Sequence, residues 1–248
     1  MLFKLRAKLG GLYRDLCAPL HYAMSLMEFR RLLAKDANPE GLWEIIHLYR
    51  GYGWFKDISG WQVESEYCEM VGLVANLRPR VVLEIGTAKG ATLLAWSRIA
   101  SELVISVDLP GGIHGGGYPK GKEKLYRKFA IGRPGVEVMT FREDSHSLDT
   151  CERVKKVLAG RTIDFLFIDG DHTYKGVSCD FELWRPLVTP GGYVAFHDIL
   201  QHSEVPDCEV DRFWAEVKKQ YPRHLEIVND VNQGWGGIGV LELRRQTV

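Results

Sequence analysis

Two hydrophobic rhythms divide the chain. Over residues 1–61 the apolar positions recur at helix spacing. Leu26, Phe29, Leu32 and Leu33 share one face, and Trp43 and Ile46 fall on successive turns with Tyr49 or Arg50. KDANPEG breaks the pattern, no strand is evident, and GYGWFKDISG closes the region as a loop rich in glycine and aromatic residues. This predicts an N-terminal helical cap over 1–61. From residue 62 to 248 short apolar runs alternate with helical segments. VVLEIG (81–86), LVISVD (103–108), VEVMTF (136–141), IDFLFID (163–169) and GYVAFHD (192–198) read as strands. VESEYCEMVGLVANL, ATLLAWSRIA, KEKLYRKFA, SLDTCERVKKVL, YKGVSCDFELWRPL and EVDRFWAEVKKQY read as helices, with Ser147 placed to cap one of them. LEIV and GWGGIGVLEL are two last strands joined without a helix, which predicts an antiparallel hairpin. The whole predicts an α/β domain: a doubly wound, mostly parallel, seven-stranded sheet with helices on both faces.

In such a sheet ligands bind at the carboxyl ends of the strands, near the point where strand order reverses. The chemically capable residues stand at those ends: Glu84 and Gly86, Asp108, Asp144, Asp169, and His197 with Asp198. Gly86 and Gly90 bracket the first strand-to-helix turn, where glycine lets backbone N–H groups approach a ligand. The pattern is E-x-G-x-x-x-G, not the G-x-G-x-x-G that suits a dinucleotide pyrophosphate. Asp108 follows the second strand, where an acid accepts hydrogen bonds from both ribose hydroxyls. Asp144 and Ser145 follow the third, within reach of an adenine amino group.

Composition narrows the partners. Lys plus Arg and Asp plus Glu both number 32, so the formal net charge is zero and nucleic-acid binding is not expected. Five scattered cysteines (Cys17, Cys68, Cys151, Cys179 and Cys208) form no CxxC pair. They predict a reducing cytoplasm rather than a disulfide framework or zinc site. MLFKLRAKLGGLYRDLCAPL lacks the unbroken apolar core of a signal peptide or membrane span. It reads as a helix packed on the domain or on a second subunit, with a basic amphipathic helix at a membrane as the alternative. Those apolar helices invite a homo-oligomer.

VLEIGTAKG, SVDL and REDS, in that order on successive strands, resemble the first three motifs of class I S-adenosylmethionine-dependent methyltransferases. GWGGIGVLEL suits the reversed last strand of that fold. The resemblance implies S-adenosylmethionine as cofactor, with Glu84, Gly86 and Gly90 around its methionine part. It puts Asp108 on the ribose and Asp144 and Ser145 at the adenine.

Neighbouring strand ends lie roughly 5 Å apart, so Asp169 and Asp198 converge. Two carboxylates that close need a cation between them or a shared proton. Mg²⁺ takes oxygen ligands of this kind. IDGDHTYKGVSCDFELWRPLVTPGGYVAFHDI looks closest to the cephalosporin-hydroxylase-like and macrolide-sugar O-methyltransferase branch. That resemblance implies a metal held by Asp169, His197 and Asp198. His197 stands where the branch usually has an acid, and a histidine suits Mn²⁺, Fe²⁺ or Zn²⁺ better than Mg²⁺. Without a metal, His197 hydrogen-bonds within the site. Asp169 anchors the site by metal or cofactor contact. His172 stands where this class carries its base, and a near-neutral imidazole can take a hydroxyl proton; its other reading is a cap of the helix that begins near Tyr174, a task better suited to Asp171 or Thr173.

Two further stretches face either way. LPGGIHGGGYPKG is a lid or a plain connector. Trp54, Phe55 and Trp61 cover the cofactor or substrate, or glue cap to core. The expected activity is methylation of a hydroxyl on a small molecule or sugar. The alternatives are a nicotinamide-dependent oxidoreductase on a similar sheet and a non-catalytic adenosyl-ligand-binding module.

Overall fold

The computed structural model of the chain describes residues 11, 13–33, 38–111 and 117–243. Strands β1 (Val81–Ile85), β2 (Leu103–Val107), β3 (Glu137–Phe141), β4 (Ile163–Ile168), β5 (Val188–His197), β6 (His224–Ile227) and β7 (Ile238–Glu242) form one sheet in the order 3-2-1-4-5-7-6. β1 to β5 pair in parallel, and β7 runs antiparallel to both β5 and β6. The strand order reverses at β1 and β4, which is where the acidic strand ends meet.

Alternation along each strand feeds two cores. Val82, Val104, Phe165, Ala195 and Val240 face one, which also takes α1 (Ala18–Leu32), α2 (Pro39–Leu48), α3 (Glu64–Leu77) and α4 (Ala91–Ile99). Leu83, Ile105, Leu166 and Phe196 face the other, against α6 (Leu148–Leu158), α7 (Tyr174–Trp184) and α8 (Val210–Val217). Short α5 (Glu123–Tyr126) lies between β2 and β3 and packs in the first core. Among the described residues no helix is long and apolar enough to cross a membrane.

The cap shares the sheet's core. Phe29, Leu42, Ile45 and Tyr49 are fully buried in the cluster that contains Val82 and Phe165. The Phe29 and Phe129 rings stand 5.2 Å apart. Buried Lys122 clamps the loop that closes the cap, donating to Lys56 O at 2.8 Å and to Asp57 O. Phe55 is buried in that core, while Trp54 donates to Asp15 Oδ1 at 2.9 Å under the Arg14 guanidinium.

Three local expectations change. The helix expected over KEKLYRKFA shortens to α5, because Arg98 takes the Phe129 and Ile131 carbonyls at 3.1 and 2.8 Å and the chain there tightens into turns. β5 starts at Val188 rather than near Gly192, since Val188 still pairs with Ile163 across a register shift. Ser147 sits at the N-cap of α6, but its side chain makes no capping bond. The centre of the expected lid, 112–116, and residues 1–10 lie outside the described residues. Beyond that centre Tyr118 is buried against Tyr126, 4.8 Å between rings, and Arg142 Nε donates to its carbonyl at 3.0 Å.

Because cap and sheet share one core, Phe29→Ala is expected to destabilise the whole chain by about 3–5 kcal/mol, the cost of emptying a buried phenylalanine site. Denaturant unfolding followed by circular dichroism and by tryptophan emission should give one coincident transition, shifted in both signals. A separate early transition, with the remainder unmoved, would mean that the cap folds by itself.

Candidate functional site

The carboxyl ends of all five parallel strands open onto one cavity of about 540 Å³. Gly86, Asp108, Asp144, Ser145, Asp169, His197 and Asp198 line it, and so does His172. Glu84 and Gly90 stand behind the wall.

Gly86 turns the chain out of β1 at φ +83°, and a Cβ there would lie 1.8 Å from Asp169 O. No side chain fits that approach between the β1 and β4 ends. Ala88 also has positive φ, and the turn is held by Asp108, whose Oδ2 accepts from Thr87 N at 3.1 Å and Ala88 N at 2.7 Å. Burial pushes the Asp108 carboxyl up to about 6 against the pull of those two N–H groups, so it stays mostly ionised at neutral pH. Tyr126 OH donates to Ala88 O at 2.9 Å, and its ring comes within 2.8 Å of where a Gly90 Cβ would be. Gly90 therefore serves packing under the turn. Glu84 points away from the cavity, beneath α4, with Oε2 accepting from Trp96 Nε1 at 2.8 Å and Oε1 without a partner. Burial pushes its carboxyl up to about 8, which keeps it largely protonated.

Asp144 accepts from His146 N at 2.9 Å and has a half-exposed side chain, while Ser145 O accepts from Trp184 Nε1 at 2.9 Å. Behind them lies a pair the sequence reading missed. His146 Nε2 lies 3.4 Å from Oδ1 of Asp180, a fully buried carboxylate on α7. That contact holds the His146 pKa up at about 9, while burial raises that of Asp180.

Asp169, His172, His197 and Asp198 form a closed ring. Asp169 Oδ1 lies 3.3 Å from His172 Nε2 and 3.4 Å from His197 Nδ1. Asp198 Oδ2 lies 3.2 Å from His172 Nδ1 and 3.3 Å from His197 Nδ1. Each carboxylate thus sees both imidazoles. Burial alone would lower the His172 pKa, but Asp169, Cys208 and Asp198 more than offset it and hold it up at about 10. His197 is likewise raised against its burial by Asp198 and Asp169. Burial favours the neutral acids at Asp169 and Asp198, yet the imidazoles hold both carboxyls below the usual range. With protons alone the ring is a pair of ion pairs.

The same atoms suit a cation. Donor atoms of Asp169, His197 and Asp198 lie within 4.8 Å of one another, as do those of His172, Asp198 and Cys208. A tetrahedral ion with bonds of about 2.1 Å has ligand–ligand edges of about 3.4 Å, close to the spacing in the ring. Cys208 enters this neighbourhood from the loop before α8, although its sequence gave no sign of it. Gln62 is the other unpredicted member, donating to Asp169 Oδ2 at 3.2 Å. His172 and Asp169 are the accessible side of the ring, 22% and 19% exposed, whereas His197 is 3% exposed. The helix after the ring is capped by Thr173, whose Oγ1 accepts from Gly176 N at 3.0 Å. Trp61, from the end of the cap, and Trp235, from the β6–β7 loop, complete the mouth.

Residues 83–199 match a family model described as a methyltransferase domain. An uncharacterised protein of Sinorhizobium fredii is 31% identical over 158 residues, which is 58% of this chain and 16% of that protein. The chain thus spans about a sixth of that relative's length. The rhamnosyl O-methyltransferase of Mycobacterium tuberculosis is 23% identical over 195 residues, 73% of this chain and 73% of that one. An O-methyltransferase from Bacillus cereus, solved in complex with SAH, shares the fold with a TM-score of 0.55 at 19% identity, covering 89% of this chain and 97% of that one. Strand order and the reversed β7 give the chain the fold of that O-methyltransferase structure, and its residues 83–199 are similar to a methyltransferase domain.

Proposed function

We propose that this chain methylates a hydroxyl oxygen of a small molecule or sugar, with S-adenosylmethionine as the methyl donor. The observation that carries the reading is the meeting of two half-sites in one cavity. One is the Gly86–Ala88 turn with Asp108, Asp144 and Ser145; the other is the ring of Asp169, His172, His197 and Asp198. The rhamnosyl O-methyltransferase similarity supports a sugar hydroxyl as acceptor. The free cysteines and the apolar N-terminal helices fit a cytoplasmic enzyme that assembles with a second copy of itself.

The bound cofactor supplies an electrophilic sulfonium methyl. The protein's part is to hold an acceptor oxygen in line with it and to manage one proton. Asp108 accepts from the ribose hydroxyls and keeps the β1–α4 turn in shape. Asp144 and Ser145 face the adenine. The cap, residues 1–61, works as the acceptor-side wall of the catalytic domain, residues 62–248, through Ser59, Gly60 and Trp61.

His172 is the ring member both accessible and basic, so it is the candidate to receive the hydroxyl proton. Its basicity follows the charge on Asp169 and Asp198. While both are bare, His172 stays protonated and cannot accept. A divalent cation held by Asp169, His197 and Asp198 would neutralise that charge and acidify a nearby hydroxyl. The fit of the donor set supports this, with Mn²⁺, Fe²⁺ or Zn²⁺ better matched than Mg²⁺ to a site containing an imidazole.

Two results are expected. Asp108→Ala should weaken S-adenosylhomocysteine binding in calorimetry by about 1.5–3 kcal/mol, the scale of a lost charged hydrogen bond. Tight binding of a nicotinamide nucleotide, with none of the adenosyl ligand, would instead select the oxidoreductase reading. Second, the His172 imidazole should titrate near 10 in cation-free protein, followed by NMR, and move down when Zn²⁺ is added. Because the folded pKa is raised, this group stabilises the fold fully below its unfolded pKa of about 6.5 and loses that effect as pH climbs towards 10. The cation-free melting temperature should therefore fall over that window. An unshifted His172 would refute the ion-pair ring.

A further inference from the structure

Glu66 sits in the first turn of α3, far in sequence from every strand end discussed so far. Its side chain is nonetheless 1% exposed. The carboxylate collects three hydrogen bonds from the loop between β6 and β7. Oε1 accepts from Asn229 N at 2.9 Å and from Gln233 Nε2 at 2.8 Å, and Oε2 accepts from Gly237 N at 2.9 Å.

That loop needs a fixed point. Gly234, Gly236 and Gly237 all adopt positive φ, between 74° and 75°. Glycine loses more conformational freedom on ordering than any other residue, so three of them make an ordered loop expensive. The loop in turn holds Asp198. Gly236 N donates to Asp198 Oδ1 at 3.0 Å, and the carbonyls of Gly236 and Gly237 accept from Leu200 N and Ile199 N at 3.0 and 3.3 Å. Asp198 itself has φ +61°, a conformation a non-glycine residue keeps only when its surroundings enforce it. The line of support runs from Glu66 through Gly237 and Gly236 to Asp198. Gln62, one turn before Glu66, holds the other carboxylate directly through Asp169 Oδ2. One short segment, residues 62–66, therefore sets both acids of the ring.

We infer that Glu66 is a positioning residue: it fixes the β6–β7 loop so that Gly236 aims the Asp198 carboxylate at the cation site and Trp235 walls the acceptor side. The inference rests on the reading of Asp169, His197 and Asp198 as a cation site.

Glu66→Gln tests it without changing side-chain volume. An amide has one accepting oxygen, so its NH₂ must face a backbone or side-chain donor and at least one bond is lost. Gln233→Ala removes one of the three donors and leaves Glu66 in place. Three quantities are measured: Mn²⁺ affinity from the EPR signal of the free ion, hydrogen exchange of the Gly236 and Gly237 amides, and S-adenosylhomocysteine affinity by calorimetry. Glu66→Gln should weaken Mn²⁺ by about tenfold or more, the usual effect of losing an outer-shell partner of a metal ligand. Exchange at Gly236 and Gly237 should speed up by a similar factor, while adenosyl affinity stays within about twofold because Asp108 and Gly86 are untouched. Gln233→Ala should move the same way by less, and it carries the comparison if Glu66→Gln does not fold. Wild-type Mn²⁺ affinity in a folded Glu66→Gln protein would overturn the role of Glu66 alone. Equal losses of Mn²⁺ and adenosyl affinity would reduce Glu66 to general scaffolding. Absence of Mn²⁺ binding in the wild type would remove the cation site itself, and this role with it.

Discussion

Two carboxylates each stand within 3.2–3.4 Å of the same two imidazoles at the buried ends of β4 and β5. Charges taken that far out of water are costly unless each meets a partner, and removing one member leaves another stranded. This requirement organises the surrounding structure. β4 and β5 must be adjacent and parallel so that Asp169 and His197–Asp198 emerge side by side. Gly86 must be glycine so that the β1 turn can pass over the Asp169 carbonyl. Asp198 must hold a left-handed backbone, and the β6–β7 loop must fold back to support it. The reversal of β7 makes that return possible, since an antiparallel last strand starts beside the end of β5.

The ring also joins the two halves of the site. In the proposed mechanism its occupancy by protons or by a cation decides whether His172 is an acid or a base. The same cavity wall continues through Gly86 and Asp108 to Asp144. The proposed methyl transfer asks for little beyond position and one proton, which a site that fixes geometry and tunes one imidazole would meet. The cap contributes through rigidity. Its Phe29, Tyr49 and Phe55 are buried in the sheet's core, Trp61 ends it at the cavity mouth, and the chain that follows delivers Gln62 and Glu66.

The strand ends were legible because they follow local rules. A parallel sheet puts its chemistry at carboxyl ends, and strand period with strand spacing places Asp169 beside Asp198. The residues that sequence reasoning missed act across long separations. Gln62 reaches Asp169, Glu66 reaches Gly237, His146 reaches Asp180, and Cys208 enters from the approach to α8. Nothing in the local pattern of those residues distinguishes them from ordinary polar or core positions. Glu84 shows the converse limit. Its place in the glycine motif suggested a cofactor contact, but strand alternation sends it under α4 to Trp96. The shortened α5 has a similar origin, because the Arg98 contacts that tighten it come from another helix.

The central claim is that an adenosyl ligand and an acid–imidazole cation site share one cavity. The most direct test is a crystal structure grown with S-adenosylhomocysteine and Mn²⁺, with anomalous data collected at the manganese edge. The account predicts the adenosyl moiety along Gly86, Asp108 and Asp144, and one anomalous peak ligated by Asp169, His197 and Asp198. An adenosyl ligand bound elsewhere, or an ordered ring with no anomalous peak at saturating Mn²⁺, would contradict it.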